Sequence, residues 1–492
     1  MKKFTLATVI VSSILFAGMA NAANYYWTGA VSGDMSDPDN YNDENDLPAS
    51  VLPGESDTIF FSIGADVVAN MPTNDLASSR FGNLRFTVDG YTLASTADLY
   101  YKRIVVEPDL TLTNRSALSW NASDGSRVEV QARAKFIHEG TFGNSPGDFF
   151  LQMGTDAEFV YAGSNKATKF RDTTNNHIIT LQGGRNHGMF MEITGGTPRL
   201  RTTGGPVTYS GPSQISWQTG NMRIGGVGSG DIELISNFEP NWGGGKNIFV
   251  EEIVFKVQRF LTDHTRSSGT ENFTKWGNGT LVFTGNGGFE QSGNSDKNGL
   301  LFVLENGTTC FNARFRNFSR SQANIEGLRV ASAARVEGTG TYDTREGGNN
   351  KSAEIRGTIA PGCSHMDEAR EVGALTYIGT NFIFRAGSRL EIKAAHDKQA
   401  KLVLDASPVT IENNVALEVI PLSNLTAPAP FTILENVGGA PIVGTFANLP
   451  EGALLVAEAN DITKKYRITY FGGAGNDVDL IPVPDSTVLI IR

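Results

Sequence analysis

The feature that most constrains this chain is a pair of short apolar runs separated by turn residues. Residues 281–283 read LVF and residues 300–304 read LLFVL, and glycine and asparagine flank both runs. Short apolar runs between turn signals are typical of strands buried on both faces of a parallel sheet. No segment with helical periodicity separates the runs. Because parallel strands without crossover helices stack most simply as a coil, the pattern predicts a parallel β-helix.

Similar runs recur from residue 58 onward and are separated by Gly-Gly, Asn-Gly, Asp-Gly or Gly-Pro turns. Their spacing, roughly 18 to 25 residues, is irregular and indicates a degenerate repeat. Helix signals are confined to about one turn around residues 367–371. We therefore predict an all-β chain, in which residues 104–235 are compatible with either coils or a sandwich.

The first residues have the pattern of a secretory signal peptide. Lys2 and Lys3 precede an apolar stretch at residues 9–16, and Ala20 and Ala22 supply a cleavage pattern. The alternative, a retained membrane anchor, is disfavoured because this stretch is shorter than the roughly 20 residues of a spanning helix. We expect an exported protein, extracellular or at the cell surface, with association with an outer membrane left open.

The composition excludes some classes of partner. The chain has 55 glycines among 492 residues, and only 19% of its residues are charged, as expected for a β protein whose strands are separated by glycine-containing turns. Its formal charge of −11 becomes about −13 once Lys2 and Lys3 are removed. A negative surface disfavours nucleic acid and anionic membranes. We expect no nucleic-acid partner and no integral membrane span.

The two cysteines, Cys310 and Cys363, suggest a disulfide in an oxidising compartment. Coils of roughly 20 residues would separate them by between two and three coils, on the order of 10–14 Å at about 4.8 Å per strand. A disulfide requires Cα atoms within roughly 7 Å. We therefore predict buried free thiols, with a disulfide as the alternative.

The mature N-terminus, residues 23–57, is predicted to be a cap. Its aromatic start, Tyr25 to Trp27, precedes a loop with clustered acidic residues: Asp34, Asp37, Asp39, Asp43, Glu44 and Asp46. These residues suit a calcium-binding loop or a sugar platform. They also suit solvated turns around an aromatic plug that covers the open end of a β core, which we favour.

Three segments resemble parts of a known family. Residues 275–285 read KWGNGTLVFTG, residues 357–362 read GTIAPG, and residues 470–478 read YFGGAGNDV. The first resembles the autotransporter-associated β-strand repeat, Lys-x-Gly-x-Gly-Thr-Leu-x-Leu-x-Gly. The others are similar to a following turn and to the closing strands of the same secreted proteins. The resemblance covers residues 271–480 and implies an exported right-handed parallel β-helix passenger without catalytic residues.

The chain departs from this family in two ways. Only one good copy of the repeat is present, and Phe283 stands where the repeat has its second leucine. No C-terminal translocator is recognisable, because a membrane barrel would need many alternating strands of about ten residues. The resemblance therefore implies a passenger-like fold that lacks its own translocator barrel.

Two motifs could bind a metal. Residues 472–477 satisfy the calcium nonapeptide pattern G-G-x-G-x-D, but in a single copy, so we favour a tight turn between two closing strands. Cys363 and His365, followed by Asp367 and Glu368, could form a thiol or metal site. No HxxxH or CxxC spacing supports that hypothesis, and we favour a polar surface loop.

A polysaccharide-degrading β-helix enzyme is the competing hypothesis. It requires carboxylates on one face with a nearby base, and the candidates are Glu251, Glu252, Asp263, Arg259 and Arg266. Their spacing is not diagnostic. The tryptophans are either sugar-stacking platforms or, as we favour, interior stacks between coils: Trp27, Trp120, Trp217, Trp242 and Trp276.

These observations predict an all-β, right-handed parallel β-helix with an N-terminal aromatic cap and a C-terminal closing β element. Residues 1–22 form the signal peptide, 23–57 the cap, 58–480 the β-helix with its repeat-like core at 271–480, and 481–492 a tail. We expect a non-enzymatic structural or adhesive surface protein that contacts extracellular glycans or surface proteins. We assign no catalytic residue, no cofactor and no metal ligand.

Overall fold

The computed structural model describes most of the chain after residue 21. The described residues are 22–64, 68, 70–76, 80–95, 97–119, 126–140, 149–154, 157–161, 169–172, 177–182, 190–193, 199–203, 207–209, 214–217, 221–226, 228–240, 246–263, 271–290, 300–317, 326–345, 351–365, 371–423 and 429–484. Residues 1–21 of the predicted signal peptide and residues 367–370 of the predicted helical turn lie outside them. Within the described residues, regular structure is β-strand apart from the 3₁₀ turn Pro38–Asn40.

The strands of the first half are β1 (Asn24–Trp27), β2 (Tyr41–Asn42), β3 (Thr58–Phe61), β4 (Thr73–Asn74), β5 (Arg80–Phe86), β6 (Thr92–Ser95), β7 (Leu99–Val106), β8 (Thr111–Asn114), β9 (Leu118–Ser119), β10 (Arg127–Val130), β11 (Lys135–His138), β12 (Phe149–Met153), β13 (Ala157–Tyr161), β14 (Lys169–Asp172), β15 (His177–Gln182), β16 (Phe190–Ile193), β17 (Arg199–Thr203), β18 (Val207–Tyr209), β19 (Gln214–Trp217), β20 (Asn221–Gly225) and β21 (Ile232–Pro240).

The strands of the second half are β22 (Lys246–Glu251), β23 (Val254–Asp263), β24 (Glu271–Trp276), β25 (Thr280–Phe283), β26 (Gly287–Glu290), β27 (Leu300–Phe311), β28 (Arg314–Asn317), β29 (Glu326–Gly338), β30 (Thr341–Asp343), β31 (Ser352–Ile355), β32 (Thr358–Pro361), β33 (Ala374–Ile378), β34 (Phe382–Phe384), β35 (Arg389–Ala394), β36 (Lys401–Asp405), β37 (Val409–Ile411), β38 (Ala416–Pro421), β39 (Phe431–Asn436), β40 (Leu454–Ala459), β41 (Ile462–Gly472) and β42 (Asp477–Pro482).

These strands stack in parallel as three files that form the sides of a β-solenoid. File one runs β1-β3-β5-β7-β10-β12-β14-β16-β19-β21-β23-β26-β28-β30-β33-β36-β39. File two runs β4-β6-β8-β11-β13-β15-β17-β20-β22-β24-β27-β29-β31-β34-β37. File three runs β18-β21-β23-β25-β27-β29-β32-β35-β38. The predicted parallel β-helix is confirmed.

The region left open between coils and a sandwich consists of coils. Strand β7 pairs in parallel with β10, β10 with β12, and the series continues through β16 and β19 to β21. The length of a coil varies, because the register pairs Asn83 with Arg103 in a short coil and Asp343 with Ile378 in a much longer one. This variation makes the repeat hard to recognise in the sequence.

The interior is one continuous apolar core that extends along the stack. Alternate residues of each strand face it, such as Ile248 and Val250 in β22, and both side chains are fully buried. Aromatic rings from successive coils stack there, and the ring centres of Phe61 and Phe86 lie 4.3 Å apart with 7° between the ring planes. The backbone hydrogen bonds of a parallel strand run along the file, to the strands of the preceding and following coils. No strand backbone group therefore needs a partner in the interior, and the side chains of the three files pack against one another there.

An aromatic cluster lies at the first coil, in the segment that we assigned to the cap. Trp27 and Tyr41 are fully buried, their rings pack edge to face, and the hydroxyl of Tyr41 donates to the Met35 carbonyl. Two of the acidic loop residues accept hydrogen bonds from the turns around them. The Asp39 N–H donates to Asp37, and backbone N–H groups of Leu47 and Asn45 donate to Asp43 and lower the pKa of its carboxyl. These two carboxylates stabilise turns.

The stack ends in the predicted C-terminal closing β element. Strand β39 pairs antiparallel with β42, β42 with β41, and β41 with β40. This meander follows the last coils, and all of it except the last two residues of β42 lies inside the range 58–480 that we assigned to the β-helix. Among the described residues, no helix is long and apolar enough to cross a membrane.

Candidate functional site

The outer side of file two carries a stack of an arginine and two aromatic residues on consecutive coils. The registers Arg223↔Phe249 and Phe249↔Trp276 place these residues at equivalent positions of β20, β22 and β24. Their strand neighbours Met222 and Ile248 are fully buried in the core. Because successive side chains of a strand point to opposite faces, the three residues point outward, where they are partly exposed.

The three groups form a layered stack. The rings of Phe249 and Trp276 lie 6.2 Å apart with an angle of 15° between their planes, and the guanidinium carbon of Arg223 lies 5.3 Å from the centre of the Phe249 ring. Aromatic stacking and cation–π attraction each contribute on the order of 1 kcal/mol. The stack is therefore rigid, since each layer restricts the rotamer of the next.

Planar polar groups surround this stack. Glu251 accepts hydrogen bonds from Arg199, at 2.5 Å, and from Arg223. The amide nitrogen of Asn247 donates to the Asn221 oxygen at 2.7 Å, and Trp276 Nε1 lies 3.4 Å from Asn247 Oδ1. We name the set the Trp276 ladder: Asn221, Arg223, Asn247, Phe249, Glu251 and Trp276.

The surface that a ligand could reach on the ladder is limited. Phe249 lies between Arg223 and Trp276, so both of its ring faces are covered. A ligand would contact the outer edge of the stack and the face of Trp276 that is turned away from Phe249. The ladder therefore offers an apolar ridge bordered by fixed hydrogen-bonding groups.

The tryptophans do not share one environment. Trp27 is fully buried in the cap, as the interior-stack hypothesis predicts, whereas Trp276 is a partly exposed outer residue. Trp217 lies in β19 with a side chain that is not described, and Trp120 and Trp242 lie outside the described residues. Of the two tryptophans with described side chains, Trp276 is therefore the one that a sugar could reach.

Of the candidate residues of the polysaccharide-degrading hypothesis, the structure describes the side chains of Glu251 and Glu252. Both oxygens of Glu251 are occupied by ion pairs with Arg199 and Arg223. Glu252 is an exposed turn residue with φ +56°. Arg259 and Asp263 lie in β23 with side chains that are not described, and Arg266 lies outside the described residues. Glu251 is held as a structural ion pair.

The prediction of free thiols was wrong, because Cys310 and Cys363 form a disulfide with their Cα atoms 6.4 Å apart. The prediction assumed that both cysteines lie in stacked strands. Cys363 instead follows Gly362, which has φ +99°, in a segment that turns back over the outer side of file three. Gly338 and Gly362 exchange two backbone hydrogen bonds of 2.6 and 2.8 Å, which fix this reversal.

We name residues 362–365 the Cys363 strap, because they lie across earlier coils. Ser364 donates its N–H and its hydroxyl to Glu337, one coil back. The disulfide reaches Cys310, two coils back, and His365 Nε2 lies 3.3 Å from the hydroxyl of Thr280 on the coil before that. The predicted polar loop is thus a fixed part of the surface. Asp367 and Glu368 lie outside the described residues.

The G-G-x-G-x-D motif forms the turn between β41 and β42, as favoured from the sequence. Asp477 Oδ1 accepts a hydrogen bond from the Asn436 N–H at 2.8 Å, and burial raises the pKa of this carboxyl. Asn476 Nδ2 donates to the Asn436 carbonyl at 2.6 Å. The polar groups of the motif therefore attach the turn to β39.

Most residues of the ladder carry no recognisable signal in the sequence. Arg223, Phe249 and Asn247 carry no motif of their own, and Trp276 was considered without them. One signal was present: Arg223, Phe249 and Trp276 follow each other at nearly equal intervals, each close to the length of one coil. An alignment of coils would have placed them together. Comparison of the sequence with protein-family models and with curated proteins finds no match.

Proposed function

We propose that this protein is an exported, non-enzymatic structural and adhesive protein, in which a stiff β-solenoid presents a glycan-contacting face. The observation that supports the rigid role most directly is the series of parallel strand pairs from β1 to β39. Every coil is joined to its neighbours by ladder hydrogen bonds and shares one core. Bending such a rod would break these bonds cooperatively, so the shape favours a spacer.

The Trp276 ladder supports glycans as the contacted class. A sugar ring has C–H faces that pack on aromatic surface and hydroxyl groups around its rim that need hydrogen-bond partners. Trp276 supplies the apolar surface, and Asn247, whose Oδ1 lies 3.4 Å from Trp276 Nε1, supplies a fixed amide group beside it. An apolar platform with a few positioned polar groups is typical of ligand-binding surfaces.

Export and display at a cell surface are part of the same proposal. They rest on the signal-peptide pattern of residues 1–22 and on the resemblance of residues 271–480 to autotransporter-associated repeats. A disulfide in the Cys363 strap suits an oxidising compartment. The cap and the closing sheet are consistent with a protein that is displayed alone, because they cover strand edges that would otherwise pair with other chains.

The proposal is tested with the mature chain, residues 23–492, on a panel of acidic and neutral polysaccharides. We expect binding without release of reducing or unsaturated ends. Replacing Trp276 by alanine should weaken binding at least about tenfold, which corresponds to roughly 1.4 kcal/mol. The matched control is Tyr100→Ala, which removes a partly exposed strand aromatic of β7 far from the ladder.

Three outcomes would overturn the proposal. Release of new sugar ends, in proportion to protein concentration and time, would establish the polysaccharide-degrading alternative. Equal binding by the wild-type protein and Trp276→Ala would remove the ladder as the contact, and absence of binding to the whole panel would remove glycans as the partner class.

A further inference from the structure

Three possible metal-binding side chains converge beneath the Cys363 strap. The Sγ atoms of Cys310 and Cys363 and a carboxylate oxygen of Glu337 all lie within 4.8 Å of one another, and all three residues are buried. Cys310 and Glu337 occupy equivalent positions of adjacent coils in file three, and the strap brings Cys363 over them. The cluster lies outside the main core and packs on Val282.

Glu337 is fixed in a position that leaves it able to accept a further interaction. Its Oε1 accepts from Arg335 Nε at 2.6 Å, and its Oε2 accepts from the N–H and hydroxyl of Ser364 at 3.1 and 2.9 Å. Burial opposes ionisation, but these hydrogen bonds outweigh it and lower the pKa of the carboxyl. A carboxylate offers about four acceptor positions, so the three donors do not exhaust it.

The donor set suits a thiophilic divalent cation. Zinc binds thiolates at about 2.3 Å and carboxylates at about 2.0–2.2 Å, usually in a tetrahedron, so its donor atoms lie roughly 3.3–3.8 Å apart. The three donor atoms lie within 4.8 Å of one another, so they can reach one cation once the S–S bond is broken and the two sulfur atoms move apart. Two thiolates and a carboxylate would carry three negative charges near one arginine, and a divalent cation relieves this imbalance.

We propose that Cys310, Cys363 and Glu337 bind one divalent cation of the zinc class when the disulfide is reduced, with a water molecule as the fourth ligand. The disulfide and the cation are mutually exclusive, because both use the same two sulfur atoms. A dithiol supplies two electrons and two protons, the S–S bond breaks, and the dithiol becomes a disulfide. The cation then displaces the two thiol protons to solvent. This site is independent of the proposed glycan contact.

The test uses cobalt(II) as the probe and the mature protein, reduced with a dithiol and desalted without oxygen. We expect one equivalent of Co²⁺ to bind with thiolate-to-cobalt charge transfer and the visible bands of tetrahedral coordination. Zinc should displace the cobalt. The oxidised protein should show no such bands, and Cys310→Ser and Cys363→Ser should each lose the charge-transfer band of a two-thiolate site.

A pair of carboxylate variants separates ligation from structural support. Glu337→Gln should weaken Co²⁺ binding at least about tenfold, since even indirect partners of a metal ligand commonly contribute 10–100-fold. Glu391→Gln is the matched control, because Glu391 also pairs with Arg335 but lies outside the cluster. Circular dichroism verifies folding.

Failure of the folded, reduced protein to show tetrahedral cobalt bands would overturn the proposal. Equal weakening by Glu337→Gln and Glu391→Gln would also contradict it, since the carboxylate would then act only by supporting the fold. Should Glu337→Gln fail to fold, the intensity of the charge-transfer band and the zinc displacement in the wild-type protein decide the question.

Discussion

Lys275 shows how one side chain can hold a corner of the solenoid. Its Nζ donates to the carbonyls of Gly277 and Gly279 within its own corner and to that of Asn306 on the next coil, at 2.6–2.8 Å. The three donors of an ammonium group match these three acceptors. The lysine thus joins two coils at the point where the chain passes from file two to file three.

Two positions of the same corner, Gly277 and Gly279, require glycine because of backbone conformation or close packing. Gly277 has φ +83°, and a Cβ atom there would lie 2.3 Å from the Val250 carbonyl oxygen. A Cβ at Gly279 would lie 2.7 Å from the Ile253 oxygen. Both positions pack against the backbone of the previous coil. The hydrogen bonds of Lys275 and the close packing of the two glycines at one corner therefore explain the Lys-x-Gly-x-Gly pattern without reference to any family.

Lys275 predicts a pH dependence of stability. Burial lowers its pKa to about 7, whereas an unfolded lysine has a pKa of about 10.5. Between these values the unfolded chain binds more protons than the folded one, so this lysine makes the free energy of unfolding rise with pH. The contribution is at most about 1.4 kcal/mol per pH unit. Replacing Lys275 by methionine should reduce the rise.

The measurement is urea unfolding at intervals from pH 7 to 8.5. This window lies well below about pH 10, near which tyrosines of the unfolded chain ionise while buried tyrosines such as Tyr91, whose pKa burial raises to about 12, stay protonated and so lower stability. Lys351 should contribute a similar rise, because burial also lowers its pKa to about 7. The control Lys398→Met removes an exposed lysine and should keep the wild-type slope. An unchanged slope in Lys275→Met would contradict the prediction.

At the scale of elements, the sequence predicted strands better than it predicted where strands bend. The runs at 281–283 and 300–304 are β25 and the first part of β27. Strand β27 continues for 12 residues, however, and turns a corner where its register shifts between Leu304 and Asn306. Residues 305–309 are polar, so no apolar pattern marked them as strand.

The sequence pattern did not predict the Cys363 strap, for a different reason. Its course depends on a reversal after Pro361 that is fixed by contacts with Gly338 and Glu337, which belong to the previous coil. A distance estimated from strand spacing assumes that the chain advances with each coil. The strap goes backward, and this brings Cys363 within bonding distance of Cys310.

The strap predicts a non-additive effect of cysteine substitution. The disulfide joins residues 53 apart in sequence, and a cross-link of that size contributes about 4 kcal/mol in the chain-entropy model, within a usual range of 2–4. Cys310→Ala and Cys363→Ala should each lower the free energy of unfolding by an amount of this order. The double variant should lose little more than the larger single effect, because either substitution removes the same bond.

The measurement is chemical denaturation of the oxidised proteins, and the reduced wild-type protein serves as the control. Reduction should lower the stability of the wild type and leave the double variant unchanged. If the two single losses in the free energy of unfolding add up in the double variant, each cysteine stabilises the protein through its own packing around Val282. That result would contradict the prediction that the cysteines act as one cross-link.

At the scale of the whole molecule, the architecture was predictable and the functional surface was not. Apolar runs, glycine turns and the absence of helical periodicity are local features, and they sufficed for a parallel β-helix with closed ends. The Trp276 ladder depends on which residues of different coils lie side by side. That register follows from coil lengths that differ along the chain, and no local pattern determines them.

The continuous stack predicts the dimensions of the protein in solution. At about 4.8 Å per stacked strand, file one is on the order of 80 Å long before the cap and closing sheet are added. A compact globule of this chain length would have a radius of gyration of about 23 Å and a diameter of roughly 60 Å. Small-angle X-ray scattering of the mature protein should therefore give a maximum dimension on the order of 80–100 Å.

Scattering at several protein concentrations provides the control for this measurement. Because the cap and the closing meander cover the strand edges at the two ends, the maximum dimension should not grow with concentration. Growth in multiples of the rod length would mean that the ends pair with other copies. A maximum dimension as small as that of the compact globule would show that the coils do not form one straight stack, and the role of rigid spacer would then be lost.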